Sequence, residues 1–270
     1  MKVTYQGETG AYSEMAVYKF FGRKVEPVPC KDFREVFDSV KNDIVPNGVV
    51  PIENSIEGSV NQNYDLFLAY DLKVCGEVAV KLAHVLIGNP QTKIEEVESV
   101  YSHPQALGQC RGYLEKHKWE IIPAYDTAGS VKIIKERKLF NAAAIASEKA
   151  AELYGMKILA RDIADNLNNY TRFLVLSHED AAPTGDDKTS IIFQTKHAPG
   201  ALYHALGEFA SRNINLTRIE SRPTKTTAWQ YNFYLDFEGH KTEKRCIEAL
   251  EALQKYAAFV KILGSYPRVI

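Results

Sequence analysis

The chain has 270 residues, 45% hydrophobic and 25% charged, roughly two domains of ordinary globular composition, which excludes a disordered segment or a disulfide-stapled mini-protein. With 33 basic against 34 acidic residues and a net charge of −1, it carries no electrostatic footprint for nucleic acid. No stretch reaches the ~18 apolar residues that span a bilayer, and residues 1–7 lack a signal-peptide apolar core, so a cytoplasmic setting without membrane partners is expected.

Short apolar runs alternate with amphipathic segments over the first 176 residues, the pattern of an α/β sheet protein. Residues 3–5 read as the first strand, followed by a helix to Phe20 that Ser13 caps with its hydroxyl. Asp32 caps the next helix, where Phe33, Val36, Phe37 and Val40 recur at i, i+3, i+4 and i+7 and form one buried stripe. Residues 49–52 make a buried strand. Residues 72–87 read as one long strand, turned or bent near Gly76 and Glu77. Val100 and Tyr101 lead into a strand-to-helix corner at Ser102-His103-Pro104, with Pro104 in the first helical turn, where its missing N–H costs nothing. The runs at 142–146 and 173–176 are further buried strands. From 177 to 187 the sequence is polar and rich in turn formers, the best linker candidate. Beyond it, strand 189–195, helix 200–212, strands 214–221 and 230–238, helix 242–257 and strand 259–264 give a βαββαβ order, the ferredoxin-like arrangement.

Cys30, Cys75, Cys110 and Cys246 form no close pair and the histidines form no H-E-x-x-H, so reduced thiols and no metal centre are expected. Chemistry is therefore sought in four polar clusters at element boundaries, where an open α/β sheet places its ligands. Gly7-Glu8-Thr9-Gly10-Ala11-Tyr12-Ser13 feeds a helix N-terminus, a good geometry for an anion, although its glycines also suit a plain tight turn. In Pro51-Ile52-Glu53-Asn54-Ser55-Ile56-Glu57-Gly58 a buried strand opens into carboxylates, an amide and a hydroxyl. A glycosidase pair of Glu53 and Glu57 is a poor reading at four-residue spacing across a turn. His103 at its corner suits either a structural hydrogen bond or a ligand. Arg172, in Asn168-Asn169-Tyr170-Thr171-Arg172-Phe173, must pair with a carboxylate or meet a ligand, because an unpaired buried charge is prohibitively costly. Neither G-x-S-x-G nor a P-loop occurs. What remains is a set of neutral donors plus one Arg, suited to a small polyanion.

In this order, Gly7–Ser13, the P-I-E-N-S-I-E-G run at 51–58, S-H-P-Q-A-L at 102–107 and N-Y-T-R-F at 169–173 resemble the prephenate dehydratase family. The region after the linker looks like the ACT regulatory domain joined to it, with Gly200-Ala201-Leu202 at a helix start and Glu220-Ser221-Arg222-Pro223 after its second strand. The resemblance implies an α/β catalytic part at 1–180, resembling a type II periplasmic-binding-protein fold of two subdomains that cross near 76–80 and 158–175. A linker at 181–187 and an ACT domain at 188–270 would follow. Thr171 would be the essential residue, with His103 and Glu57 as titratable proton donors. Thr9, Ser13, Asn54, Ser55, Gln105, Thr127, Asn169, Arg172 and Phe173 would bind substrate. After Tyr125 the chain departs from the family's Ser-Thr-Ala pattern at Asp126 and Gly129. No mutase-like segment precedes residue 1, which suggests a monofunctional form.

The same resemblance implies decarboxylating dehydration of prephenate to phenylpyruvate, with no cofactor, since the elimination needs neither redox chemistry nor a metal. Arg172 and the N-terminus of the Ser13 helix are the expected carboxylate anchors. L-Phenylalanine is the expected effector, bound between subunits of a homodimer or homotetramer by Gly200, Ala201, Leu202, Asn215, Leu216, Glu220, Ser221, Arg222 and Pro223. Arogenate dehydratase and a noncatalytic small-molecule sensor are the alternatives.

Overall fold

The computed structural model describes residues 1–224 and 229–269. The first lobe contains β1 (Lys2–Gln6), α1 (Tyr12–Phe21), β2 (Glu26–Cys30), α2 (Phe33–Lys41), β3 (Asn47–Asn54), β4 (Gly58–Ser59), α3 (Asn61–Ala69) and β5 (Lys73–Lys81). Asp32 caps α2 by accepting a hydrogen bond from the Glu35 amide at 2.9 Å. Val36, Phe37 and Val40 of its stripe are fully buried. Ser13 does not cap α1. That helix begins earlier, with Ala11 as N-cap, and the Glu14 carboxylate reaches back to accept from the Gly10 N–H at 2.6 Å, fixing the turn just ahead of the helix.

The second lobe contains β6 (Val85–Gly88), β7 (Ser99–Ser102), α4 (Pro104–Gln109), α5 (Arg111–Leu114), β8 (Glu120–Pro123), α6 (Thr127–Glu136), β9 (Ala142–Ala146), α7 (Glu148–Tyr154) and β10 (Lys157–Ala160), after which β11 (Tyr170–Ser177) returns to the first sheet. The segment 72–87 is thus two strands in two sheets. Its break lies at 82–84, not near Gly76 and Glu77. Gly76 sits inside β5 because the ring of Phe20 occupies the space a side chain would need.

Both sheets have one topology. The first runs β2-β1-β3-β11-β5 and the second β8-β7-β9-β6-β10. In each, three strands are parallel, and the strand antiparallel to both its neighbours arrives from the other lobe. This is the type II periplasmic-binding-protein arrangement, with crossings at 82–84 and 161–169.

The remaining unit comprises β12 (Asp187–Thr195), α8 (Ala201–Ala210), β13 (Leu216–Pro223), β14 (Tyr231–Glu238), α9 (Lys244–Leu253) and β15 (Ala257–Pro267), in sheet order β13-β14-β12-β15. One face, with Ile191, Phe193, Leu235 and Phe237, packs on Phe209 of α8 and Leu250 and Leu253 of α9. The other does not face solvent. Ile192, Tyr234, Leu263 and Tyr266 share a core with Phe37, Tyr64 and Phe67 of the first lobe. The missing side chain of Gly264 matters here, since a Cβ would collide with the Val74 carbonyl of β5. Among the described residues no helix is long and apolar enough to cross a membrane, and no group of three His, Cys, Asp or Glu is placed to hold a metal.

Candidate active site

A cleft of about 380 Å³ opens between the lobes. The β1–α1 turn contributes Gly7, Tyr12 and Ser13, the end of β3 Asn54, and β11 Thr171 and Phe173; the crossing adds His84, α4 supplies Gln105 and Gln109 behind its cap His103, and the loop into α6 brings Asp126 and Thr127. The N-termini of α1, α4 and α6 therefore converge on one space, presenting first-turn N–H groups and the positive ends of helix dipoles. Among the described residues the lining includes no Lys or Arg.

The hydrogen bonds around Thr171 have a determinate direction. Asn54 Oδ1 accepts from the amides of Ile56 and Glu57, both at 3.0 Å, so its Nδ2 must point inward. There it donates to Thr171 Oγ1 at 2.9 Å and to Asn169 Oδ1 at 2.7 Å. Thr171 is thus an acceptor toward the protein, and its own proton is directed to whatever occupies the cleft. Asn169 is fully buried and passes the chain on, donating to Gln109 Oε1 at 2.9 Å, which also lies 2.9 Å from His84 Nε2. One polar chain thereby ties Thr171 to both crossings and to α4 of the second lobe.

His103 is the N-cap of α4, its Nδ1 accepting from the Gln105 amide at 3.2 Å, which places the ring proton on Nε2. Burial lowers its pKa, partly offset by Asp126, and burial lowers that of His84, partly offset by its bond to Gln109. Both are neutral at pH 7. Because their folded values lie below the ordinary 6.5, the unfolded chain binds protons first as pH falls. Their contribution to stability is full above about pH 6.5 and is lost between that pH and the lower folded values. The urea midpoint is expected to drop between pH 7.5 and 5.5, and His84→Gln to reduce that drop; an unchanged drop would contradict the buried neutral state.

A second cavity, about 490 Å³, lies between the first lobe and the C-terminal sheet, lined by Glu53, Arg172, Lys188, Arg218, Asp236 and Arg268 among others. Its charges are already matched to one another. Arg172 bonds Glu53 at 3.1 Å, Glu77 at 3.2 Å and Asp236 at 2.9 Å, and Arg268 bonds Asp186 and Glu238. Burial pushes the Asp236 carboxyl up, but Arg172 and Arg218 outweigh this and hold it below the usual carboxylate range. The cleft between the lobes, whose lining is not locked into ion pairs, is the better reaction site.

A family model for prephenate dehydratase matches residues 3–181 and one for the ACT domain matches residues 189–254. The chain belongs to the prephenate dehydratase family. A prephenate dehydratase of Methanocaldococcus jannaschii is 44% identical, over 98% of this chain and 97% of that one. An arogenate dehydratase of Petunia hybrida is 43% identical, over 99% of this chain and 72% of its own length. A solved prephenate dehydratase of Arthrobacter aurescens, in complex with L-Phe, superposes with a TM-score of 0.91 at 32% identity, covering 99% of this chain and 90% of that one.

Of the residues the family resemblance pointed to, Ser13, Asn54, His103, Gln105, Thr127, Thr171 and Phe173 line the cleft, and Asn169 stands directly behind it. Others do not. Arg172 is drawn to the opposite side of β11 by its three carboxylates and lines the second cavity. Ser55 lines the second cavity and clasps the crossing, accepting from the Tyr170 amide and donating to Asn168 O. The Thr9 carbonyl accepts from Tyr154 outside the lining. Glu57 is exposed, 3.5 Å from Gln109 Nε2. Asp126, the departure from the family pattern, caps α6 by accepting from the Gly129 amide, the task a serine would perform. Tyr12, from the first polar cluster, lines the cleft together with His84 and Gln109, which belong to none of the four clusters. A histidine inside an apolar strand-like run was the one available signal.

Within the C-terminal sheet, Gln194 pairs with Asn232 and Pro223 with Tyr231, whereas Lys188 pairs with Glu238 and Leu216 with Phe237. Gly200, which takes a left-handed φ of 77° ahead of α8, thus follows the end of the sheet where β13 finishes. Asn215 and Leu216 begin β13 at the other end. Glu220 accepts from Ser59 at 3.0 Å and Arg222 pairs with Asp65 of α3, so these two side chains face the first lobe.

Proposed function

We propose that the protein converts prephenate to phenylpyruvate, carbon dioxide and water, and that L-phenylalanine regulates it through the ACT domain. The observation that carries this reading is the Thr171 hydroxyl, whose oxygen accepts from Asn54, leaving its proton for a cleft lined by neutral polar groups and one carboxylate, Asp126. Loss of the ring carboxylate breaks a C–C bond, its electron pair enters the ring, and the ring hydroxyl leaves; aromaticity drives the step. Thr171 donates a hydrogen bond to the departing oxygen, and the one proton consumed overall is drawn from solvent. The helix N-termini hold the two carboxylates through N–H groups. A lining without cations suits this, because a tight ion pair would stabilise the carboxylate that must be lost. Neither Glu57, exposed outside the lining, nor neutral His103 serves as a strong general acid.

The effector residues lie at two ends of one sheet, which supports a site built by two chains in a homodimer or homotetramer, checked by light scattering. The cytoplasmic setting belongs to the same reading and is checked by fractionation. The deciding experiment follows phenylpyruvate formation from prephenate at neutral pH, corrected for the spontaneous reaction, with and without L-phenylalanine. Turnover suppressed by the amino acid is expected. Turnover on arogenate alone would favour the second reading, which the Petunia relative motivates; turnover on neither would leave a sensor.

A further inference from the structure

β11 presents Thr171 to the cleft and the adjacent Arg172 to the opposite side, where it meets the C-terminal sheet. The register of β11 against β3 shifts immediately after Arg172. Thr171 and Arg172 thus lie beyond a bulge on the β3 side, while on the other side they pair with Val80 and Ala79 of β5 in unbroken register. The Arg172 guanidinium sets how that end sits against β3. It is gripped by Glu53 of β3, Glu77 of β5 and Asp236 of β14, so carboxylates on both flanking strands and on the other sheet fix its position. Asp236 is itself immobilised, its second oxygen accepting from Ser190 Oγ at 2.6 Å, which in turn is 2.6 Å from the Tyr266 hydroxyl.

We propose that Asp236 is a positioning residue for the reaction: acting through Arg172, a carboxylate of the ACT sheet fixes the strand end that aims the Thr171 hydroxyl. This rests on the role given to Thr171 above. Displacing a hydrogen-bond donor by a fraction of an ångström weakens it in the transition state and leaves substrate binding by the helix N-termini intact. The Arg172 contact also gives the regulatory sheet a direct mechanical hold on the catalytic strand within one chain.

Asp236→Asn tests this, since it preserves volume and the Ser190 contact but turns an N–H toward Arg172. Its kcat on prephenate is expected to fall roughly 10-fold with KM within about twofold. In a Thr171→Val background the same change should cost less than about twofold, because the group it positions is gone. An unchanged kcat in the folded single variant, or an equal loss in both backgrounds, would overturn the proposal. Wild-type turnover by Thr171→Val alone would instead sink the assignment of Thr171. Should the Asn variant not fold, Arg172→Lys, whose compact ammonium lacks the planar fork that fixes the guanidinium among its carboxylates, is expected to show the same kcat loss, and normal kcat there overturns the proposal equally.

Discussion

Thr171→Val is expected to lower kcat by about 100-fold or more and to leave KM nearly unchanged. Valine matches threonine in shape and suits the strand, so the backbone pairs of residue 171 with Asn54 and Val80 persist. What disappears is a single O–H whose direction is dictated by Asn54. A donor aimed at a departing oxygen contributes roughly 3 kcal/mol to the transition state and far less to the ground state. The substitution also removes the Asn54 Nδ2 contact at 2.9 Å, but the bonds of that amide to Asn169 at 2.7 Å and to the Tyr170 carbonyl at 3.2 Å remain, so the loss of stability should stay near 1 kcal/mol. Steady-state kinetics on prephenate alongside thermal melts separates the effects. A raised KM with normal kcat would make Thr171 a binding group only.

Glu77→Leu should have the largest effect on stability. The Glu77 side chain is 0% exposed, accepts from Lys188 Nζ at 2.8 and 3.1 Å, from Arg172 at 3.2 Å and from the Val269 amide at 3.1 Å. Together with Glu53 and Asp236 it balances Arg172, Lys188 and Arg218, and leucine would leave these charges with one positive in excess. Removing one partner from such a buried set costs about 3–5 kcal/mol, or on the order of 10 °C in Tm for a chain of this size. By contrast, breaking the exposed Lys149–Glu152 pair at 2.8 Å should leave the melt almost unmoved, because water screens it. A melt of Glu77→Leu within 2 °C or so of the parent would show that solvent enters this interface.

The two results concern neighbouring residues whose legibility in the sequence differed. Local signals sufficed for α2, where a cap and a four-residue stripe coincide, and for the βαββαβ order, whose turns are chemically marked. They failed where two elements join without punctuation. Residues 72–87 are uniformly strand-like because a strand leaving one sheet and another entering the next are both buried, and the joint at Leu82, Ala83 and His84 contains neither Gly nor Pro. Arg172 was correctly read as a charge needing a partner. Its partners are 95 and 64 positions away for Glu77 and Asp236, a distance at which no local pattern chooses between a carboxylate of the protein and one of a substrate. The equivalence of the two lobes was likewise invisible, since topology repeats without any recurrence of residues.

That equivalence bears on how the protein turns over. Two separate tethers, at 82–84 and 161–169, cross from lobe to lobe side by side. A single tether would let one body swivel about the other, whereas a pair suppresses swivelling and leaves bending as the soft coordinate. Gln109 of one body joins Asn169 and His84, one on each tether, so bending and the cleft's polar chain share atoms. One molecule enters this jaw and three fragments must leave it, one of them a gas. Bending along that coordinate would pull on the hydrogen bonds that hold Asn169 behind Thr171.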